Sequence, residues 1–407
     1  MRPRCILAVD QGTTNTKALL MDEAGAIVAR ASRPVEISFP APGWVEQDAL
    51  ALWHTVEAAA SGCLKAAGPV EVTAIALTNQ RESSVAWDRA TGTPVGPCIV
   101  WQCRRTAPFC AALRDGGAGP LIEQTTGLTI DPLFSASKFR WLIEHADDGA
   151  RRAARGDICI GTVDSWLVWN LTGGAQHVTD LTNASRTQLL NLRSRAWDAA
   201  MIELFGVPAA ALPALVPSSG VVGRTTGSAS IPAGLPIASL IGDSHAALFG
   251  HGTYQPGVVK ATYGTGSSLM SLTEAPLASS AGLSSTVAWA LPDRTWYALE
   301  GNITVTGGAV DWLSQFLGGD HTPASVAGLA NSTPDAGGVH LVPAFAGLGA
   351  PHWDDGARGL ITGLTRGTTQ AHVARAAIES IAFQVRDVFD AMERDIAAPL
   401  PALLTDG

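Results

Sequence analysis

The stretch "CILAVDQGTTNTKALLMDEAGAIVAR" near the start of the chain alternates apolar runs with short polar breaks. Cys5–Val9 is uninterrupted and apolar, as expected of a strand covered on both faces. A Gly/Thr turn and a second strand follow, and "DEAG" at 22–25 signals a turn into a third, so the second and third strands should form a hairpin. "DALALWHTVEAAASGCLKAA" predicts a helix capped by Asp48, and "VTAIALTN" (72–79) another buried strand. "VAWDRATGTPVGPCIVW" predicts a hairpin turning at "TGTP". Helical spacing recurs near 104–114, 135–146 and 197–205, and most strongly over 370–396.

A Pro/Gly/Ser-rich passage (213–236) leads into "IASLIGDSHAALFGHG", which predicts strand, polar turn and helix. "VVKATYGTGSSLMSL" then repeats the opening theme of apolar strand, Gly/Thr turn and strand. The pattern predicts a duplicated α/β fold with a cleft between its halves. Its boundary falls within 246–255, which gives domains 1–250 and 251–407. A strand should follow the helix at 370–396, and "ALLTDG" begins one.

A chain of 407 residues is long enough for two ordinary domains, and 46% hydrophobic with 15% charged residues describes a globular chain rather than a disordered one. A net charge of −9 argues against a general nucleic-acid binder, but backbone N–H groups could still hold a nucleotide's phosphates. The six cysteines (5, 63, 98, 103, 110, 159) form no CxxC pair, which suits buried, reduced thiols in a cytoplasmic protein. The apolar run before Asp10 is too short for a signal peptide, and no run approaches the ~20 residues of a membrane span.

Four stretches carry candidate chemistry. In "DQGTTNTK" (10–17), Gly12 permits close backbone approach, Thr13, Thr14 and Lys17 can hydrogen-bond phosphate oxygens, and Asp10 could hold Mg²⁺. Alone, this fits a polar hairpin turn equally well. "TYGTGSS" (262–268) supplies a matching turn in the second half, and two such turns facing each other would clamp a triphosphate, so the pair favours the phosphate reading. "TNQRES" (78–83) sets Arg81 and Glu82 at a strand end, where a donor fork beside a carboxylate can grip vicinal hydroxyls. The same dipeptide could be a surface ion pair worth under ~1 kcal/mol. In "GDSHAALFG", Asp243 is either a helix N-cap or a general base, with His245 an alternative base.

Taken in order, "LAVDQGTT", "PGWVEQD", "TNQRE", "IVWQCRRT", "TGLTIDP", "GTVDSWLVWNLTGG", "VTDLTNASRT", "TYGTG", "VPAFAGLGAPHWD" and "ARGLITGLTRGTTQAHVARAAIESIAFQVRDV" resemble the FGGY carbohydrate kinase family, its glycerol-phosphorylating branch above all. The resemblance covers essentially the whole chain. It implies two ribonuclease-H-like domains flanking a cleft, MgATP as phosphoryl donor and a small polyol, glycerol first, as acceptor. It makes Asp243 the base, with Arg81, Glu82, Trp101, Leu133 and Ser244 on the substrate side. The ATP-binding set is Thr13, Thr14, Asn15, Lys17, Gly264, Thr265, Gly266, Gly307 and Asp311, with Asp10 the Mg²⁺-linked carboxylate. Self-association into a homo-oligomer is also implied.

Four positions depart from that branch. Leu133 stands where it has Tyr, Ser244 where it has Gln, Ser268 where it has a Phe opposite Trp101, and Asp311 where Gln is common. The substrate-side changes make a longer polyol or a ketose an alternative acceptor. "TGSASIPAGLP" lacks the arginine of the branch's sugar-bisphosphate inhibitor site, so that regulation is not expected. The family's "DGGxxxN" turn, which holds the adenine, would continue from Asp406–Gly407. The second domain is therefore expected to be incomplete, and a catalytically silent polyol-binding protein is the remaining alternative.

Overall fold

The structure, a computed structural model, describes residues 2–407 except 229, 253, 346 and 355. The chain forms two compact units, Met1–Ala246 with Thr286–Trp296, and Ala247–Ser285 with Tyr297–Gly407.

The principal strands of the first unit are β1 (Arg4–Gln11), β2 (Asn15–Asp22), β3 (Ile27–Pro34), β4 (Glu71–Asn79), β5 (Ser84–Asp88), β6 (Ile158–Thr162), β7 (Ser219–Arg224) and β8 (Pro236–Gly242). Six of them make one sheet in the order β7-β8-β4-β1-β2-β3. β1, β2 and β3 are antiparallel neighbours, whereas β4 runs parallel to β1 and β8 parallel to β4. Cys5, Leu7 and Val9 pack into a core with Leu20, Ile75 and Leu77, under helices α1 (Ala49–Ala67), which contributes Leu52 and Val56, and α3 (Val163–Leu171), which contributes Trp166 and Leu167; α2 (Ser135–Glu144) lies between them in the chain. Ile6, on the other face of β1, is 46% exposed, so this strand is packed on one face near its start, not on both.

Asp48 caps α1 as expected, its carboxylate accepting the Ala51 N–H at 2.8 Å. The segment after β5 reverses over Asp88–Thr93, where the Asp88 N–H reaches the Thr93 carbonyl at 2.9 Å, slightly earlier than "TGTP" suggests. Helical segments at Ala107–Asp115 and Ala199–Phe205 fall near their expected places.

α4 (Asp243–Gly250) follows β8. The second unit repeats the opening topology: β9 (Val258–Tyr263) and β10 (Ser267–Thr273) are antiparallel across the second Gly/Thr turn. With β11 (Ser284–Ala290), β12 (Thr295–Ile303) and β13 (Ala402–Asp406) they make a sheet in the order β11-β12-β10-β9-β13. α5 (Gly307–Leu317) follows β12, and α6 (Gln370–Ile396) occupies the span expected from its spacing. The closing apolar run is a strand, as expected, and β13 pairs parallel with β9. Among the described residues no helix is long and apolar enough to cross a membrane.

Candidate active site

The parallel strands β1, β4 and β8 bring three chain segments together at their carboxyl ends, the place where α/β sheets bind ligands. Asp10 is the penultimate residue of β1, in register with Thr78 and Lys17, and Gly242 ends β8 in register with Asn79. Arg81 therefore emerges beside Asp243. Arg81 Nε lies 3.2 Å from Asp243 Oδ1, with the Arg81 side chain 7% exposed and that of Asp243 42%. Gly242 makes this approach possible, because a Cβ there would lie 2.7 Å from Arg81 Cδ. Asp243 Oδ1 also accepts the Ser244 N–H at 2.6 Å, so it steadies the first turn of α4 while facing Arg81. His245 is fully buried, its Nε2 3.4 Å from Thr286 Oγ1.

Arg81 and Glu82 are not a surface ion pair; both are buried. Glu82 Oε1 takes a hydrogen bond from Arg186 Nε at 2.6 Å. Its backbone is left-handed, at φ +61°, an arrangement that costs about 1–3 kcal/mol in a non-glycine residue. Arg186 anchors the carboxylate, and Ser135 Oγ donates to the Glu82 carbonyl at 3.0 Å.

A polar network joins the first Gly/Thr turn to Trp101. The Trp101 indole N–H donates to Thr13 Oγ1 at 2.9 Å, and its backbone N–H to Ser83 Oγ at 3.1 Å. Gln80 Nε2 donates to Gln11 and Gln47, Ser83 donates to Gln80 Oε1, and Gln47 Nε2 reaches the Thr13 carbonyl. Thr13 is thus fastened on both its hydroxyl and its carbonyl, while Thr14, Asn15 and Lys17 are exposed. Leu133 is half-buried, its N–H held by Asp131 Oδ1 at 2.7 Å. Ser244 is buried.

In the second unit the turn at Gly264–Gly266 packs against the start of α5. The Gly307 N–H donates to the Gly264 carbonyl at 2.9 Å, and the Gly308 N–H to that of Thr265 at 3.0 Å. A Cβ on Gly307 would lie 2.5 Å from the Gly264 oxygen, so only glycine fits. Asp311 is exposed one turn along α5. Ser268 points into the unit, donating to Glu300 Oε1 at 2.6 Å. An open groove of about 600 Å³ in this unit is lined by Trp312, Phe316, Phe345, Arg358 and Leu360, and none of the expected site residues lines it.

Residues 5–250 match the N-terminal domain of the FGGY family of carbohydrate kinases and residues 259–407 its C-terminal domain. The chain belongs to the FGGY family of carbohydrate kinases. It is 48% identical over 99% of its length to a glycerol kinase of Alkalilimnicola ehrlichii, spanning 82% of that protein. It is 49% identical, again over 99%, to an apulose kinase of Pectobacterium atrosepticum, spanning 81% of it. The crystal structure of Plasmodium falciparum glycerol kinase with ADP superposes with a TM-score of 0.90 at 33% identity, covering 100% of this chain and 82% of that one. The chain is accordingly an ATP-dependent carbohydrate kinase with the two-domain α/β fold of its family.

In this FGGY kinase, Asp10 is the group whose electrostatics stand out. Burial, and then the neighbouring Asp243 charge, raise its pKa from 3.8 to about 6, and Lys17 opposes them only in part. An oxygen donor whose ionised form lacks compensating positive charge suits a hard divalent cation. Gln80, Ser83, Lys138 and Arg186 brace the site, yet composition and turn signals gave no reason to single them out.

Proposed function

We propose that this kinase transfers the γ-phosphoryl group of ATP to a hydroxyl of a small polyol, with glycerol as the first candidate. The observation that carries the reading is the Arg81–Asp243 contact at the shared ends of β4 and β8. Asp243 accepts the proton of the attacking hydroxyl as its oxygen bonds to the γ-phosphorus and the bond to the ADP oxygen breaks. Arg81 donates to the neighbouring hydroxyls, Glu82 accepts from them, and Trp101 packs behind the carbon chain. Thr14, Asn15 and Lys17, with Gly264, Thr265, Gly266, Gly307 and Asp311, are the proposed nucleotide contacts. Mg²⁺ held through Asp10 would neutralise charge on the phosphates. The six cysteines are all free and buried, which fits a reducing cytoplasm where ATP is supplied.

A second acceptor class has specific support. Leu133 offers no hydroxyl, and one relative of 49% identity carries the name apulose kinase. A coupled assay of ADP formation across glycerol, longer polyols and ketoses separates the two. Highest kcat/KM with glycerol supports the first reading, and highest kcat/KM with a ketose replaces it. Saturable polyol binding without ADP formation would leave only a binding protein.

A further inference from the structure

Lys138 lies four residues into α2 and is fully buried. Its position is unfavourable twice over. Burial penalises the ammonium, lowering its pKa from 10.5 to about 8, and a cation in the first turn of a helix opposes the helix dipole. A leucine or methionine would fill the space without either penalty. What the ammonium does there is collect carbonyl oxygens: those of Leu133, of Phe134 at 3.1 Å, and of Glu82 at 3.4 Å. No carboxylate accepts a hydrogen bond from it among the described residues, although the charges of Glu82 and Asp131 favour its protonated form. Glu82 is the residue held at φ +61°, and Leu133 lies in the turn just before α2. A single donor therefore spans two loops that are otherwise 51 residues apart (133 − 82).

We propose that Lys138 is a positioning residue for the acceptor side of the site: its ammonium pins the Glu82 backbone to the Leu133–Phe134 turn and so fixes where the Glu82 carboxylate and the Leu133 side chain stand relative to each other. The inference rests on the polyol-kinase reading above and adds a determinant of acceptor affinity to it. Ser135 Oγ, donating to the same Glu82 carbonyl at 3.0 Å, is the neutral auxiliary of this clamp. None of these groups lies in the phosphate-binding turns, so the effect falls on the acceptor and not on the nucleotide.

The test is calorimetric titration of the full chain with glycerol and, separately, with MgADP, paired with steady-state kinetics. Lys138→Met removes the donors and keeps the stem. It should raise the glycerol Kd and KM at least tenfold, with the binding stoichiometry, the MgADP Kd and the KM for ATP changed less than threefold. A merely structural lysine would instead lower the active fraction for both ligands and leave both affinities alone, which overturns the proposal. Should Lys138→Met fail to fold, Ser135→Ala decides. A two- to fivefold rise in glycerol Kd at constant MgADP Kd supports the clamp, and an unchanged glycerol Kd sinks it. Wild-type protein that binds and phosphorylates no polyol would refute the function reading and this inference together, whereas normal wild-type behaviour with unaffected variants refutes the inference alone.

Discussion

Arg81 and Asp243 are 162 positions apart in the chain and 3.2 Å apart at Nε and Oδ1. The parallel pairing of β4 with β8 creates this proximity, and Gly242 leaves room for it. Asp243 Oδ1 already takes two N–H donors, from Arg81 and Ser244, so an isosteric amide keeps the helix start but cannot accept a proton from substrate. Asp243→Asn should therefore lower kcat by about 10²–10⁴, the usual worth of a positioned base. The KM for glycerol should move far less. Near-normal turnover in that variant would remove Asp243 from the base role.

Asp10 gives a pH dependence with a defined sign. Its pKa is raised to about 6, so below that value the carboxyl is protonated and lacks the charge with which, on the proposed function, it would hold Mg²⁺. The rate should fall as pH drops through about 6, and added Mg²⁺ should move this acid limb to lower pH. For stability the sign is the reverse of a salt-bridged carboxylate. Between 3.8 and about 6 the folded chain holds a proton that the unfolded chain has released, so stability falls as pH rises through that window and stays lower above it. Asp10→Asn should raise the melting temperature at pH 7 without Mg²⁺, with the gain shrinking toward pH 4. A variant no more stable than wild type at pH 7 would contradict the assignment.

Legibility in the sequence followed the physics of each element. Segments with a free face, such as α1 and α6, showed their periodicity and were placed from it. α3 was not, because "VDSWLVWNL" is buried at every position but Asn170, and a helix buried all round carries no amphipathic signal. The proposed reacting groups were readable from local chemistry: Asp10 directly follows an apolar run, and Arg81 and Asp243 stand within a few residues of one. Their supports were not. Arg186 and Lys138 act on Glu82 from 104 and 56 residues away, and no local pattern encodes such a partnership. The local alternative of an exposed pair fails for Glu82 because its partner, Arg186, lies 104 residues along the chain.

Ser268 illustrates a departure from the family pattern that the structure explains by itself. Its hydroxyl bonds the buried Glu300 carboxylate at 2.6 Å, on neighbouring strands β10 and β12. Removing that donor leaves a buried carboxylate less well satisfied, at a cost of about 1–3 kcal/mol. Ser268→Ala should accordingly lower the melting temperature of the second unit by several degrees, at ~2–4 °C per kcal/mol for a unit of this size. A melt identical to wild type would mean that Glu300 is held adequately by its other contacts.

Gly307 provides the sharpest test of the second phosphate turn. Its N–H holds the Gly264 carbonyl at 2.9 Å, and an added Cβ would come within 2.5 Å of that same oxygen. The obstacle is backbone, so no side-chain rotation relieves it; either α5 or the Gly264–Gly266 turn must shift. The Thr306 hydroxyl, also bonded to the Gly264 carbonyl at 3.1 Å, ties turn and helix together and limits how far they can separate. Gly307→Ala should therefore displace the turn and raise the KM for ATP about tenfold, equivalent to ~1.4 kcal/mol. Glycerol binding, whose proposed contacts all precede residue 250, should be unchanged in the same protein. An unaltered KM for ATP would show that the Gly264–Gly266 turn does not contact the phosphates.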